Sequence, residues 1–325
     1  MTSASDSPAE VAVEVAAEVA ADSTVVTSEE KVAVLPSGIE ICYQTFGDPP
    51  EDNGAEPLLL VMGLGGPMTW WNPDLCRMLA GRGFFVIRYY NRDAGRSSKV
   101  EGRVNRRMLV RSLTGLKVRA PYTLSDMGQD GFALLDHLGY DSAHLVGISM
   151  GGMIVQTMAL DKPQRVRSLT SIMSSTGRRT VGWQDPRLAP MLLARRAQTR
   201  EAYVASSAKM WKMIGSPLYP DTPEAIRERS GETFDRGISA AGVARQMLAV
   251  LGQPDRSRTL RSLRIPSLVI HGTLDRMVHV SGGRATSAAI AGSELLLIPG
   301  MGHDVPPELH NTFTDAIRRT ADRAS

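Results

Sequence analysis

With 325 residues, 42% of them hydrophobic and 22% charged, the chain can bury a sizeable core, which excludes a fibre and a fully disordered polymer. Its longest apolar runs, such as Pro57 to Met62, fall far short of the roughly 20 residues a bilayer span requires. No basic start followed by an apolar stretch marks a secretion signal, so a cytoplasmic location without an integral membrane segment is expected.

The net charge of +3 hides an asymmetry: residues 1–30 hold seven acids and no Lys or Arg, leaving +10 on the remainder. This Ala/Val/Glu/Ser stretch has no aromatic residue to bury and predicts a disordered acidic tail over 1–30. The basic excess elsewhere is dispersed and lacks an aromatic-interleaved face, which argues against a nucleic-acid partner.

After the tail, Lys31 to Leu35 and Glu40 to Phe46 predict a hairpin around Pro36-Ser37-Gly38, with alternation suited to a sheet edge. The period then changes. Leu58 to Met62, Phe84 to Tyr89, His144 to Ile148, Leu169 to Met173, Ser267 to His271 and Leu295 to Ile298 are short, nearly continuous apolar runs of the kind that strands buried on both faces require. Helical patterns lie between them, over Asn72 to Gly81, Leu124 to Leu138, Met150 to Leu160, Arg284 to Ile290 and Pro307 to Ala321. Ser125 with Asp126 marks one helix start, and Pro306-Pro307 another. The alternation predicts an α/β fold with a mostly parallel central sheet flanked by helices.

It breaks over residues 176–262, where helical patterns run without a strand and Trp183, Met191, Met210, Trp211, Met213 and Met247 supply apolar content. An inserted helical cap is expected there, dividing the core into 31–175 and 263–325. The Met and Trp side chains suit either ordinary cap packing or an adaptable ligand surface. Cys42 and Cys76 show neither zinc nor disulfide spacing and are expected as buried thiols.

One pentapeptide carries chemistry. Gly147-Ile148-Ser149-Met150-Gly151 follows an apolar strand and opens a helix, a context in which a sharp turn presents the serine hydroxyl and only glycines fit on either side. A serine needs a base to take its proton, and the base needs an acid to hold its tautomer. Two later strands deliver candidates at their C-terminal ends, Asp275 after Ser267 to His271 and His303 in a glycine-flexed loop after Leu295 to Ile298. His137, His144, His271, His279 and His310 fall in or beside helices and strands. Just after Leu169 to Met173, an alternative place for the acid, stand Ser174, Ser175 and Thr176. Asp304, beside the histidine, is read as an ordinary loop residue or as a support behind the site. An oxyanion would be met by the backbone N–H of Met150 and, from the loop Met62 to Gly66, by that of Leu64; a simple turn is the other reading of those glycines. Met68, Trp70, Trp71 and Met301 are expected to line an apolar entrance.

A second feature is the stretch Arg88 to Arg119, which holds ten bases against Asp93 and Glu101 and interleaves them with apolar residues. It suits a solvated helix face, or attraction to an anionic substrate or peripheral contact with a lipid surface.

Over residues 31–325 the chain resembles the α/β-hydrolase superfamily, whose chain order of nucleophile, acid and histidine is Ser149, Asp275, His303. More narrowly, Val61 to Gly65, Val86-Ile87-Arg88 with Asn91 to Ser97, Tyr122 to Met127 and Leu169 to Gly177 are similar to actinobacterial carboxylesterase/lipase proteins and to anthracycline (aclacinomycin) methylesterases. Relatives often carry His-Gly where Met62-Gly63 stands. The resemblance implies acyl transfer from a small-molecule ester to water through an acyl-enzyme, with no metal and no organic cofactor. Esterase, lipase, thioesterase, methylesterase and carbon–carbon bond hydrolase all remain open, and the intact Ser149, Asp275 and His303 set argues against a mere ligand receptor.

Overall fold

The computed structural model describes residues 25–188 and 199–324. Residues 1–24 of the expected tail and Met191 of the expected cap lie outside them. Strands β1 (Lys31–Val34) and β2 (Glu40–Phe46) form an antiparallel hairpin at one edge of an eight-stranded sheet. The remaining strands, β3 (Glu56–Val61), β4 (Phe84–Tyr89), β5 (Ala143–Ile148), β6 (Val166–Ile172), β7 (Ser267–Gly272) and β8 (Glu294–Ile298), run parallel in the spatial order β1-β2-β4-β3-β5-β6-β7-β8.

The near-continuous apolar runs become central strands because side chains alternate between two covered faces. Leu59, Val61, Ile87 and Leu145 point toward α3 (Leu124–His137) and α4 (Met150–Asp161), packing with Met127, Leu134 and Ile154. Leu58, Leu60, Val86 and Val146 point the other way, packing with Leu75 and Leu79 of α1 (Pro73–Gly81) and Phe313 and Ile317 of the C-terminal helix His310–Ala321. Helix α3 begins at Leu124, as expected, with Thr123 as its cap: the Thr123 hydroxyl accepts from Asp126 N–H while the Asp126 carboxylate accepts from Thr123 N–H. A further helix, α2 (Arg106–Leu113), lies between β4 and α3.

Residues 25–30, expected as part of the tail, are among the described residues and make specific contacts. Thr27 bridges Phe46, Ser28 N–H donates to Thr45 O, and the Glu30 carboxylate holds Arg96 at 2.7 Å and contacts Arg236. Residues 25–30 therefore pack on the sheet edge, contrary to the expectation of disorder over 1–30. Their backbone completes the hydrogen bonding of β2 ahead of the start of β1, and Val25 packs against the core cluster.

Between β6 and β7 the described residues form α5 (Arg200–Ile214), α6 (Pro223–Asp235) and α7 (Ala240–Gly252), with no strand among them. Trp211 and Ile214 join Leu188 in a small apolar cluster of this insert, with Met210 and Met213 packed on it. Trp183 stays about half exposed and stacks on His279, with ring centroids 4.2 Å apart. Helix α8 (Ser281–Ala289) and α9, the C-terminal helix, complete the layers. No helix of the described residues is long and apolar enough to cross a membrane.

Candidate active site

Strand β5 ends at Ile148 and α4 begins at Met150, so Ser149 makes the whole turn, at φ 57° and ψ −118°. Few side-chain-bearing residues adopt this conformation, and surrounding contacts must hold it. A Cβ on Gly147 would lie 2.2 Å from Gly151 O, and one on Gly151 2.0 Å from Val61 O, so only glycine lets the backbone pack this closely. Ser149 N–H donates to Ile172 O at 2.8 Å, and its carbonyl accepts the Ser174 hydroxyl at 2.8 Å.

The three residues expected from separate strand ends meet. His303 Nε2 is 3.1 Å from Ser149 Oγ, and His303 Nδ1 is 2.7 Å from Asp275 Oδ2. Asp275 is buried, and its Oδ1 accepts the N–H groups of Met277 and Val278, each at 2.8 Å. Burial alone would raise its carboxyl, but attraction to the protonated form of His303 and hydrogen bonds from His271 and His303 outweigh that and hold it below the usual carboxylate range. An ionised Asp275 can only accept, so His303 Nδ1 carries a proton toward it and Nε2 is free to receive one from Ser149.

The loop after β3 lies against the serine. Gly66 N–H donates to Gly63 O at 3.3 Å, closing a turn whose third residue, Gly65, has φ 63°. Asn91 Nδ2 holds the start of this loop by donating to Met62 O at 2.8 Å. A Cβ on Gly63 would lie 3.2 Å from Ser149 Cβ. The N–H groups of Leu64 and Met150, the latter at the N-terminus of α4, donate to no group among the described residues.

The insert touches both halves of this arrangement, which the sequence did not disclose. His303 N–H donates to Ile214 O at 2.7 Å, and Gly302 N–H donates to Ser216 Oγ at 2.8 Å. Asp304 accepts from Ser216; burial pushes its carboxyl up, against the lowering effect of those Ser216 hydrogen bonds. Gln246 of α7 reaches the loop after β3. A serine following Gly215 at a helix end and a glutamine in a mid-helix position carry no signal without the contacts themselves.

Three of the four expected lining residues lie elsewhere. Met68 is fully buried with Cys42, Tyr90 and Ala94. Trp71 and Met301 are buried in the core cluster under the sheet, with Leu75, Ile298 and Phe313. Large apolar side chains next to a site loop gain more from the core beneath it than from an open mouth. Trp70 alone stays half-buried at the seam with the insert, edge-on to Trp211 with centroids 5.3 Å apart and its Nε1–H donating to Thr233 Oγ1 at 3.0 Å. The basic stretch divides likewise. Arg88 is buried, donating to Gln44 Oε1 and Trp71 O, and Arg92 pairs with Asp130 at 2.6 Å, whereas Arg106, Arg107 and Arg111 are exposed. Cys42 and Cys76 are free and buried, and burial pushes each thiol up to about 12. No group of three His, Cys, Asp or Glu side chains among the described residues is arranged to hold a metal ion.

A family profile for the alpha/beta hydrolase fold matches residues 56–308. Rhodomycin D methylesterase DauP from Streptomyces sp. (strain C5) is 27% identical over 90% of this chain and 96% of its own length. The 3-oxoadipate enol-lactonase 2 from Acinetobacter baylyi is 28% identical over 89% of this chain and 97% of its own length. The crystal structure of a hydrolase from Pseudomonas aeruginosa PA01 is similar with a TM-score of 0.69 at 25% identity, covering 90% of this chain and 98% of that one. With the profile spanning β3 to the loop after His303, and with relatives matched along nearly their full length, the chain belongs to the alpha/beta hydrolase fold family.

Proposed function

We propose that this protein is a serine hydrolase that cleaves carboxylic esters, or thioesters, through an acyl-enzyme. The observation that carries this reading is the continuous chain from Asp275 through His303 to Ser149, at 2.7 and 3.1 Å, ending on a hydroxyl held in a strained turn. Ser149 Oγ attacks the ester carbonyl carbon as its proton passes to His303 Nε2, and the N–H groups of Leu64 and Met150 receive the oxyanion. Collapse breaks the bond to the leaving alcohol, which takes the proton from His303. Water then attacks the acyl-serine, giving up a proton to His303 that returns to Ser149 as the carboxylic acid departs. Asp275 orients the imidazole and stabilises its charged form.

The similarity to a rhodomycin D methylesterase over nearly its full length supports a carboxylic ester with a small alcohol, and methyl esters are the first substrates to test. We take the insert as a cap over the serine, with Trp70 and Trp211 offering an apolar seat to the acyl part. Fluorophosphonate labelling followed by peptide mapping, with a panel of methyl, longer-chain and thioesters and one vinylogous diketone, tests the reading. It expects a single adduct on Ser149 and turnover of esters. An adduct elsewhere overturns the assignment, and cleavage of the diketone without ester hydrolysis replaces it with carbon–carbon bond hydrolysis.

A further inference from the structure

We infer that Gln246, on helix α7 of the insert, is a positioning residue for the oxyanion loop, so that the cap helix sets the aim of the Leu64 N–H. The inference rests on the ester-hydrolase reading and deepens it. Gln246 is fully buried. Its Oε1 accepts the Gly65 N–H at 2.7 Å, and its Nε2 donates to Arg92 O at 2.8 Å. The loop offers a donor on one side and the Arg92 carbonyl an acceptor on the other, so a flipped amide would set like against like at both ends. With its own N–H taken by the side chain, Gly65 cannot serve a substrate oxygen, which leaves the preceding Leu64 N–H for that task.

A side chain can fix a loop only if the helix bearing it is itself fixed, and the neighbouring residue does this. Arg245 donates from Nε and Nη2 to the two carboxylate oxygens of Asp93, at 2.8 and 2.7 Å, and from Nη1 to Gly102 O at 3.0 Å. Asp93, at φ 71°, also accepts the Tyr122 hydroxyl at 2.7 Å and the Val100 N–H at 2.9 Å. Two consecutive residues of α7 thus tie it to the segment after β4 and to the turn after β3. The approach is close: a Cβ on Gly65 would lie 2.5 Å from Val243 Cγ2, and one on Gly242 would lie 2.5 Å from Asp93 O. The peptide joining Leu64 to Gly65 is therefore pressed against α7 and hydrogen-bonded to it. Without the Gln246 acceptor that peptide is free to rotate, and the neighbouring Leu64 N–H loses its direction.

The experiment compares Gln246→Met, which keeps length and apolar volume but has no acceptor, with Gln246→Glu, which keeps an oxygen facing Gly65 but sets a carboxyl against the Arg92 carbonyl. Active sites are counted by fluorophosphonate titration, so that kcat refers to folded enzyme alone, and Tm is measured alongside. Q246M is expected to lose about 10- to 100-fold in kcat per titrated site with KM changed less than about 3-fold, a part of what losing an oxyanion donor costs. Q246E is expected to have the lower Tm and yet the higher kcat of the two. A purely structural role would put Tm and kcat in the same order. Where Q246M does not fold, Gln246→Asn, one methylene too short to reach Gly65, is expected to show the same loss. Wild-type kcat per site in Q246M or Q246N, or Q246E falling below Q246M in kcat, overturns the inference. Absence of a Ser149 adduct and of ester turnover in the wild type instead removes the reading on which it rests.

Discussion

The Ser216 hydroxyl donates to one oxygen of the Asp304 carboxyl, and the Ser216 backbone N–H donates to the other at 3.1 Å. Since Gly302 N–H in turn donates to Ser216 Oγ, the segment after α5 is bonded to the residues on both sides of His303. Ser216→Ala leaves a buried carboxyl with one donor fewer and the Gly302 N–H without its acceptor, at a cost of about 1–3 kcal/mol. A fall of several degrees in Tm is expected, with kcat per active site reduced several-fold as the imidazole loses part of its support. Thermal melts and steady-state kinetics read both, and a variant equal to wild type in each would show that these contacts carry neither stability nor position.

The backbone of Ser149 makes a prediction that separates strain from chemistry. Ser149→Ala should cost about 10⁴-fold or more in ester turnover while Tm stays near wild type, because alanine inherits the same φ of 57°. His303→Ala should be comparably inactive, and Asp275→Asn less so. Ser149→Gly should be as inactive as the alanine variant but more stable than it. Relief of about 1–3 kcal/mol of backbone strain outweighs the extra chain entropy of glycine, about 0.5–1 kcal/mol. A glycine variant melting below the alanine variant would mean that the turn stores no strain.

These relationships differ in how far they could be read from the sequence. The central strands were legible because sheet positions covered on both faces leave continuous apolar runs, as in Leu58 to Val61. Ser149, Asp275 and His303 were legible as candidates because each follows such a run. The direction of Met68, Trp71 and Met301 was not, since an apolar residue beside a site loop looks the same whether it faces the mouth or the core. Nor did Arg88, set between Ile87 and Tyr89 in a buried strand, announce that Gln44 and the Trp71 carbonyl would absorb its charge. Ser216 and Gln246 act across separations of 88 and 181 residues, where no local pattern reaches.

A pH dependence of stability follows from His144, which the site does not use. The ring is buried, with Nδ1 2.8 Å from Ser168 Oγ and Nε2 3.3 Å from Glu56 Oε1. Burial pulls it down from 6.5 to about 4, more than the Glu56 carboxylate can restore. The unfolded chain therefore binds this proton before the folded one does. Its contribution is complete above pH 6.5 and falls as pH drops toward about 4, by about 3 kcal/mol across that window. Urea unfolding at several pH values should show this slope in the wild type and a shallower one in His144→Asn. Parallel slopes would place the acid sensitivity on other groups.

A salt test separates the charges of the basic stretch that have an ion-pair partner among the described residues from those that do not. Arg92 and Arg96 are paired with Asp130 and Glu30, and Lys99 donates to the carbonyls of Ala94 and Ser97. Arg103, Arg106, Arg107, Arg111, Lys117 and Arg119 are exposed and form no ion pair among the described residues. Three of these bases stand on α2, which packs against α7, the helix whose Gln246 meets the loop after β3. Bases so placed would attract an anionic ester toward the insert, and salt would screen that attraction over a Debye length of about 10 Å at 0.1 M. KM for an anionic ester should therefore rise by roughly 3- to 10-fold between low and high salt, while that of a matched neutral ester stays flat. Arg106→Glu with Arg107→Glu should remove the difference, leaving kcat for the neutral ester unchanged. Equal salt dependence of the two esters, untouched by the charge reversal, would reduce the segment to a solvated face of the helix.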